Sequence, residues 1–196
     1  MSNMTTQDQE ILERFAEIVA TSLRIDKSKV TEDAYLDDLG AESLDVLEIT
    51  MEAEEAFNIL LPQKNILQTA QELVGEGVVV QDGRLTAAAR RLLCARMPEF
   101  ASYDAEHLTL AELNKMFMRV GSWVRMIGRL MEHTPSTCPH CGAGFGKPVA
   151  GRLKCRSCAR EQDIPSGEDL NRQWVEQYFQ QQEALVLPPS ASASTT

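Results

Sequence analysis

The most informative stretch of the sequence is Leu36-Asp37-Asp38-Leu39-Gly40-Ala41-Glu42-Ser43-Leu44-Asp45-Val46-Leu47-Glu48. This stretch predicts a tight turn and then a helix capped by Ser43, whose hydroxyl can accept hydrogen bonds from the free amides of the first turn. Those amides and the helix dipole also favour a phosphate there if the hydroxyl is esterified. At 100° per residue, an apolar face opposes a stripe of carboxylates. The apolar positions are Val46, Ile49, Ala53, Ala56 and Phe57, and the carboxylates are Asp45, Glu48, Glu52 and Glu55.

By itself, a serine followed by leucine and aspartate indicates no more than a capped surface helix whose charges are solvated. The residues on either side of this tripeptide are more informative about the protein family. The run from Asp38 to Glu48, together with Glu-Glu-Ala-Phe-Asn-Ile at 54–59, resembles the acyl carrier proteins. The resemblance is close over about residues 5–62 and returns more faintly at 109–131.

In that family the serine carries 4′-phosphopantetheine, which implies attachment at Ser43. The aspartate that usually precedes the serine is Glu42 here, a substitution that keeps the charge. The resemblance further implies that a phosphopantetheinyl transferase esterifies Ser43, and that the thiol of the arm carries an acyl group as a thioester between enzymes. The protein is then expected to be a carrier, not an enzyme, in fatty-acid, specialised lipid or polyketide biosynthesis.

The predicted docking surface is the outer side of the Ser43 helix. Its carboxylates favour acyl-transferring, ligase or synthase enzymes that present basic docking patches. Large apolar residues lie between the apolar and acidic faces and are expected to contact the same enzymes. The predicted contact residues are Leu44, Asp45, Glu48, Met51 and Glu55, with Leu47 beside them. We expect the apolar face of the helix to border a cavity for an acyl chain.

Composition and charge limit the class of protein. A chain of 196 residues with 43% hydrophobic and 24% charged residues can bury one substantial core and a small second unit. It has no apolar run of transmembrane length and no signal-like N-terminus, so we expect a cytoplasmic protein. Residues 1–62 carry 15 acidic and 4 basic residues, a net charge of −11, whereas the remainder has a net charge of +1. This acidity argues against a nucleic-acid partner, because phosphates would be repelled.

The predicted fold is mainly α. It is an acyl-carrier four-helix bundle with a small hairpin-helix insertion, followed by a small zinc ribbon and a C-terminal helix. Thr6 and Gln9 predict a capping box for a first helix at about 7–24. The Ser43 helix is expected to end near Asn58.

Helices at 110–117 and 120–131 are expected to complete the bundle, because apolar residues repeat there at helical spacing. Four basic residues lie outside that apolar stripe, and we expect them to pair with the acidic helix. They are Lys115, Arg119, Arg125 and Arg129.

Residues 63–109 are predicted to be an insertion. The run 78–85 predicts a hairpin with Asp-Gly at the turn, and Thr86 predicts the cap of a helix that ends near Met97. Strand, turn and helix also resemble a fragment of a winged helix, but the unit is small and adjoins the most acidic segment. Some specialised acyl carriers resemble this chain in having such an insertion before the last helix.

Two Cys-x-x-Cys pairs, Cys138/Cys141 and Cys155/Cys158, are the second strong signal, with 13 residues between them. The spacing is typical of a zinc ribbon, in which four thiolates surround one metal ion. Two disulfides or an iron–sulfur cluster are the alternatives, and disulfides are disfavoured without a signal peptide. Four thiolates leave no open coordination position, so we expect the zinc to be structural. His140, inside the first pair, is not expected to be a ligand.

The predicted domains are an acyl carrier domain at 1–133, with the insertion at about 63–109, and a zinc ribbon at 134–165. An amphipathic helix at 166–187 and a disordered tail at 188–196 follow. The alternative function is a zinc-ribbon adaptor or nucleic-acid-binding protein that uses the bundle as a scaffold. The ribbon is locally basic, but the net charge of −2 on a zinc centre with four thiolates offsets most of that. We therefore expect no nucleic-acid partner.

Overall fold

The computed structural model describes residues 4–102 and 110–186, which form a mainly helical protein. The helices are α1 (Thr6–Leu23), α2 (Ser43–Phe57), α3 (Ile66–Val74), α4 (Glu76–Val79), α5 (Ala87–Arg96), α6 (Leu110–Phe117), α7 (Val120–His133) and α8 (Gly167–Val186). Two antiparallel hairpins accompany them, β1 (Val80–Gln81) with β2 (Arg84–Leu85), and β3 (Arg152–Lys154) with β4 (Glu161–Asp163). The predicted fold class is confirmed. The predicted disordered tail at 188–196 lies outside the described residues.

None of the helices among the described residues combines the length and the apolarity that a membrane span requires.

The first hydrophobic core is enclosed by α1, α2 and α7. The Phe15 ring of α1 stacks on Trp123 of α7, with the ring centroids 5.5 Å apart. On α2, Ile49, Ala53 and Phe57 are buried against the same core. The buried face of α2 is therefore the face that the sequence predicts. A stacked aromatic pair contributes about 0.5–1.5 kcal/mol beyond its buried area, so the Phe15 contact helps to hold α1 on α7.

A second core is formed by α3, the β1–β2 hairpin, α5, α6 and α8. Leu92, Leu93 and Phe100 are almost completely buried in it. On the face of α8 that meets this core, Val175 is fully buried, and Trp174, Tyr178 and Phe179 pack beside it half-buried. The apolar stripe of the C-terminal helix is thus covered by the residues between α2 and α7.

The β1–β2 hairpin confirms the predicted turn. Asp82 and Gly83 have positive φ angles of 50° and 73°, as a two-residue type I′ turn requires. Thr86 caps α5 as predicted, because its Oγ1 accepts a hydrogen bond from the Ala89 N–H at 3.1 Å. The first strand is shorter than expected, since residues 78–79 end α4 instead.

The cap of α1 lies one residue earlier than predicted. Thr5 is extended (φ −73°, ψ 166°), its Oγ1 accepts from the Asp8 N–H at 3.1 Å, and Asp8 accepts from the Thr5 N–H at 2.9 Å. The prediction of a capping box on Thr6 and Gln9 is wrong, because an N-cap needs non-helical dihedral angles and Thr6 is already helical.

Three of the four basic residues, Lys115, Arg119 and Arg125, pair with the loop between α1 and α2, so the prediction that they pair with the acidic helix is wrong. The pairs are Lys115–Asp38 (2.8 Å), Arg119–Asp33 and Arg125–Glu32 (3.0 Å). The loop is tied to the start of α7, because the N–H groups of Val120 and Gly121 donate to the carbonyls of Ala34 and Glu32, both at 2.9 Å. These loop carboxylates are therefore nearer to the basic side chains than those of α2.

A third, small core lies inside the β3–β4 ribbon. Its buried residues are Cys138, Phe145, Leu153, Cys155 and Ile164. Leu60, just after α2, packs against this core, and its carbonyl accepts from the Gly167 N–H at 3.0 Å. Its neighbours Ile59 and Leu61 are buried in the first core. One extended segment therefore joins the first core, the ribbon and the start of α8.

The close packing at this junction leaves no space for a side chain at position 167. A Cβ at Gly167 would lie 2.5 Å from the Leu60 carbonyl oxygen and 2.7 Å from Pro62, so Gly167→Ala should cost about 1–3 kcal/mol, measured by urea denaturation. Gly77→Ala is the control, because nothing lies within 4 Å of its Cβ position and alanine is favoured over glycine in a helix. Equal stability of the Gly167→Ala and unsubstituted proteins would contradict the close approach.

Candidate functional site: the start of helix α2, its exposed face and the four-cysteine cluster

The turn before α2 determines where the helix begins. Leu36 is fully buried, and its N–H donates to the Met118 carbonyl at 3.0 Å. The Ala41 N–H donates a hydrogen bond to the Leu36 carbonyl at 2.9 Å. Gly40 has a φ of 94°, a backbone conformation that favours glycine. The predicted tight turn is confirmed, and it leads directly into the residues before Ser43.

Ser43 is the first residue of α2 and not its N-cap, so that part of the prediction is wrong. Glu42 is extended (φ −96°, ψ 173°) and occupies the cap position. Its N–H donates to the Asp45 Oδ2 at 2.8 Å, an interaction of the capping-box type. The sequence signal for this boundary is the carboxylate three residues after Glu42, which sequence reasoning assigned to docking alone.

The Ser43 side chain is exposed at the N-terminal end of a helix of 15 residues. The first-turn amides and the positive end of the helix dipole lie at the same end. A phosphate esterified to this hydroxyl would therefore meet a favourable field and remain in contact with solvent. The site fits a phosphodiester group.

An exposed apolar ridge, formed by Leu44, Leu47 and Met51, continues from Ser43 along α2. These side chains are 79%, 55% and 62% exposed. Within the described residues, the other exposed large hydrophobic side chains are Val78 and Val149. Exposed apolar side chains that cluster on one surface indicate an interaction site. The predicted docking residues Leu44 and Met51 both belong to this ridge.

The acidic stripe lies beside the ridge, and its C-terminal end meets the ribbon. Glu48 and Glu52 are exposed, whereas Glu55 forms an ion pair with Lys147 of the ribbon. A shallow depression separates α2 from the ribbon at this point. Its lining includes Arg14, Met51, Glu52, Glu55, Phe145, Lys147 and Arg156. Of the predicted docking carboxylates, Glu48 therefore faces solvent, Asp45 is half-buried at the helix start, and Glu55 is engaged within the chain.

A partly open cavity of about 250 Å³ lies between the first and second cores. Its apolar lining includes Leu61, Met97, Phe117, Trp123, Met126 and Leu130. Helix α2 contributes Thr50 to this cavity. The predicted apolar face of α2 does not border it, because that face is filled by α1 and α7.

The lining also contains polar side chains, among them Arg96 of α5, Arg129 of α7 and Asn171 of α8. Sequence reasoning did not place them together, because they come from three helices that are far apart in the chain. The spacing of apolar residues within one helix does not indicate which side chains of other helices will lie beside it. Arg129 was expected to pair with the acidic helix, and the structure places it at the cavity instead.

The four cysteines of the ribbon come together as their spacing predicts. The Sγ atoms of Cys138, Cys141, Cys155 and Cys158 all lie within 4.8 Å of one another. The Cys138–Cys158 and Cys141–Cys155 Sγ–Sγ distances are 3.7 Å and 3.5 Å. A disulfide bond measures about 2.05 Å, whereas a tetrahedron with Zn–S bonds of about 2.3 Å has edges of about 3.8 Å. The cluster fits one zinc ion and does not fit disulfides.

Backbone hydrogen bonds favour the thiolate form of Cys155. The N–H groups of Cys158 and Ser157 donate to its Sγ at 3.5 Å and 3.4 Å, and they lower the pKa of this thiol. A thiolate is the form that binds a metal ion. His140 is not part of the four-cysteine cluster. Its Nδ1 lies 2.7 Å from Arg160 Nη1.

Comparison with known proteins concerns the N-terminal part of the chain. A family profile described as "Phosphopantetheine attachment site" matches residues 13–75, which include most of α1 and all of α2 and α3. An acyl carrier protein of Guillardia theta is 44% identical over 77 residues, which cover 36% of this chain and 95% of that protein. An acyl carrier protein of Rubrobacter xylanophilus is 42% identical over 69 residues, which cover 34% of this chain and 85% of that protein. No solved structure matches the chain.

Proposed function

We propose that this chain, which belongs to the acyl carrier protein family, carries acyl groups as thioesters on a 4′-phosphopantetheine arm attached to Ser43. The observation that carries the proposal is the exposed serine at the start of α2, within the matched attachment region. Fatty-acid, specialised lipid or polyketide biosynthesis in the cytoplasm is the proposed setting. In it the protein acts as a carrier and not as an enzyme.

Loading would form a phosphodiester at Ser43. A phosphopantetheinyl transferase takes up the hydroxyl proton while Oγ attacks the β-phosphate of coenzyme A, and the bond to the adenosine bisphosphate portion breaks. The first turn of α2 then faces a negative phosphate, an arrangement typically stabilised by about 0.3–1 kcal/mol at an exposed helix end. The thiol of the bound arm supplies the thioester that holds the acyl group.

Partner enzymes are proposed to dock on the apolar ridge of α2. Leu44, Leu47 and Met51 offer apolar contact area next to the attachment site. Glu48 and Glu52 lie beside them and would attract basic patches, which speeds association and orients the partner. Because the ribbon lies at the far end of the same helix, a partner that covers all of α2 would also contact the ribbon.

The ribbon is proposed to hold one structural zinc ion through its four cysteines. Its own core is too small to fold without a metal, since few apolar residues are buried in it. Four thiolates would complete a tetrahedral site and leave no position for a substrate. The metal would therefore stabilise the ribbon that lies against α2. The domain boundaries at 133, 165 and 187 stay predictions.

The alternative function, a zinc-ribbon adaptor or nucleic-acid-binding protein, has less support. The family match covers the helix that carries Ser43. Two basic residues of the ribbon are already paired with carboxylates, Lys147 with Glu55 and Arg152 with Glu161. Fewer positive charges then remain for a phosphate backbone.

Labelling tests the attachment site. A phosphopantetheinyl transferase with a fluorescent coenzyme A analogue should label the purified chain once. Ser43→Ala should abolish labelling because the acceptor oxygen is gone, and it should keep the fold because Glu42, not Ser43, occupies the cap position. In-gel fluorescence and circular dichroism measure the two outcomes. Ser28→Ala removes another exposed serine and should label normally, whereas labelling of the Ser43→Ala protein would contradict the proposal.

Charge reversal tests the docking surface. Glu48→Lys and Glu52→Lys should each slow acyl transfer with a partner enzyme by about 3- to 10-fold at low salt, and the difference should shrink at high salt. The measurement is the transfer rate at several salt concentrations. Glu10→Lys makes the same charge change at an exposed position of α1 and is the control. Equal slowing by all three variants would show that net charge matters and that the surface of α2 does not.

Metal analysis tests the zinc proposal. The purified chain should contain close to one zinc per molecule, and replacing Cys155 and Cys158 together by Ser should remove it. Cys94→Ser should keep the metal, because Cys94 packs against the second core. Chelation should unfold the ribbon while Ser43 still accepts the label, since α1, α2 and α7 have a core of their own. Full zinc content in the double variant would disprove the assignment.

A further inference from the structure

Two arginines line the cavity between the two larger cores, and the proposed loading of Ser43 does not use them. Arg96 and Arg129 stand there with Asn171, next to apolar residues such as Met97 and Leu130 and to further polar residues such as Lys64 and Ser122. Asn171 is 8% exposed, and its Oδ1 accepts from Arg96 Nη2 at 3.3 Å. Two guanidinium groups and a buried amide therefore converge on one small space.

Among the described residues, Arg129 has no counter-ion in contact with it. Its Nε is buried without a hydrogen-bond partner, and within the described residues its guanidinium forms no ion pair. Burial lowers the pKa of Arg129, the charge of Glu99 raises it, Arg125 lowers it, and Glu132 and Asp8 raise it. A desolvated charge without a contacting partner is unfavourable in a folded protein. Among the described residues, no carboxylate lines the cavity, so a negative group bound there would contact Arg129 directly.

Arg96 has contacting partners, but among the described residues none of them is a carboxylate. Desolvation, and then repulsion by Arg129, lower its pKa to about 10. Its guanidinium lies over the Trp174 ring, 5.0 Å from the centroid, and donates to Asn171. Both contacts hold the group in place, yet neither partner is negatively charged. Two fixed guanidinium groups suit a carboxylate, which can accept paired hydrogen bonds from each of them.

The cavity lies along the side of α2 that carries Ser43. Thr50, which lines the cavity, follows Ser43 by seven residues. Seven residues make about two helical turns, so the two side chains lie on the same side of α2 and about 10 Å apart along its axis. An arm on Ser43 could therefore lead an acyl chain along this side of the helix. The apolar lining would cover its methylene groups.

We infer that the cavity binds the far end of an acyl chain that terminates in an anionic group, a carboxylate in the simplest case, with Arg129 and Arg96 as its ligands. This inference rests on the proposed attachment of the arm at Ser43. The cargo class is then ω-carboxylated acyl groups and not chains that end in a methyl group. The carboxylate supplies the negative charge that the cavity lacks, and the chain fills the apolar part.

Loading with matched acyl groups tests the inference. Short, medium and long chains that end in a methyl, a hydroxyl or a carboxylate group are transferred to Ser43 from their coenzyme A thioesters. At one chain length, the carboxylate form should melt at least about 4 °C above the methyl form and should change the tryptophan fluorescence, because Trp123 lines the cavity. Equal melting temperatures of the three forms at every length would overturn the inference. A hydroxyl form as stable as the carboxylate form would also overturn it.

Variants separate recognition from folding. Arg129→Met should abolish the difference between the carboxylate and methyl forms, and Arg129→Lys should keep part of it. The unloaded Arg129→Met protein should melt no lower than the unsubstituted one, because Arg129 makes no ion pair or hydrogen bond with the part of the chain that the structure describes. Arg172→Gln is the control, since it removes an exposed charge of α8 that does not line the cavity. Equal destabilisation of every loaded and unloaded form by Arg129→Met would show a structural role and overturn the inference.

Mass spectrometry of each loaded sample keeps the two proposals apart. If Ser43 accepts the arm and the three chain endings behave alike, the cargo inference fails and the carrier function stands. If the transferase does not load Ser43 with any chain, the carrier function itself fails.

Discussion

The hydrogen bond from the Gly167 N–H to the Leu60 carbonyl, 3.0 Å long, lies where the three hydrophobic cores meet. Leu60 packs against the ribbon core, and its neighbours Ile59 and Leu61 are buried in the first core. Gly167 begins α8, which is buried against the second core. A side chain at 167 would collide with the backbone of this segment. The short segment after α2 therefore sets where the bundle, the ribbon and α8 lie with respect to one another.

This arrangement divides α2 into three parts with different surroundings. Its first turn presents Ser43 to solvent, and its middle carries the exposed apolar ridge with Glu48 and Glu52 beside it. Its last turn meets the ribbon through Glu55 and Lys147. In the proposed function, a partner enzyme that reaches for the arm would find the docking ridge directly beside it. It would find the ribbon at the other end of the same helix.

The features that the sequence predicts well are local. The turn before Ser43, the Asp-Gly hairpin and the two cysteine knuckles each depend on a few adjacent residues, and the structure has all three. The N-cap was misplaced by one residue, because serine and glutamate can each precede a first turn and the Asp45 contact to the Glu42 N–H decides between them. The sequence predicts the wrong partner for Lys115, Arg119 and Arg125, since backbone pairing over a long sequence separation brings the loop between α1 and α2 to them. The proximity of Arg96 and Arg129 could not be predicted from the sequence either, because only tertiary packing brings α5 and α7 to one cavity.

The most direct test of the carrier function is intact-mass analysis of the protein isolated from its native host, followed by fragmentation to locate the modified residue. The account predicts a mass increase equal to a phosphopantetheine arm, with or without an acyl group, located on Ser43. The mass of any acyl group would also identify the cargo. An unmodified Ser43 in cells whose other acyl carriers are loaded, or an arm located on a different residue, would contradict the account.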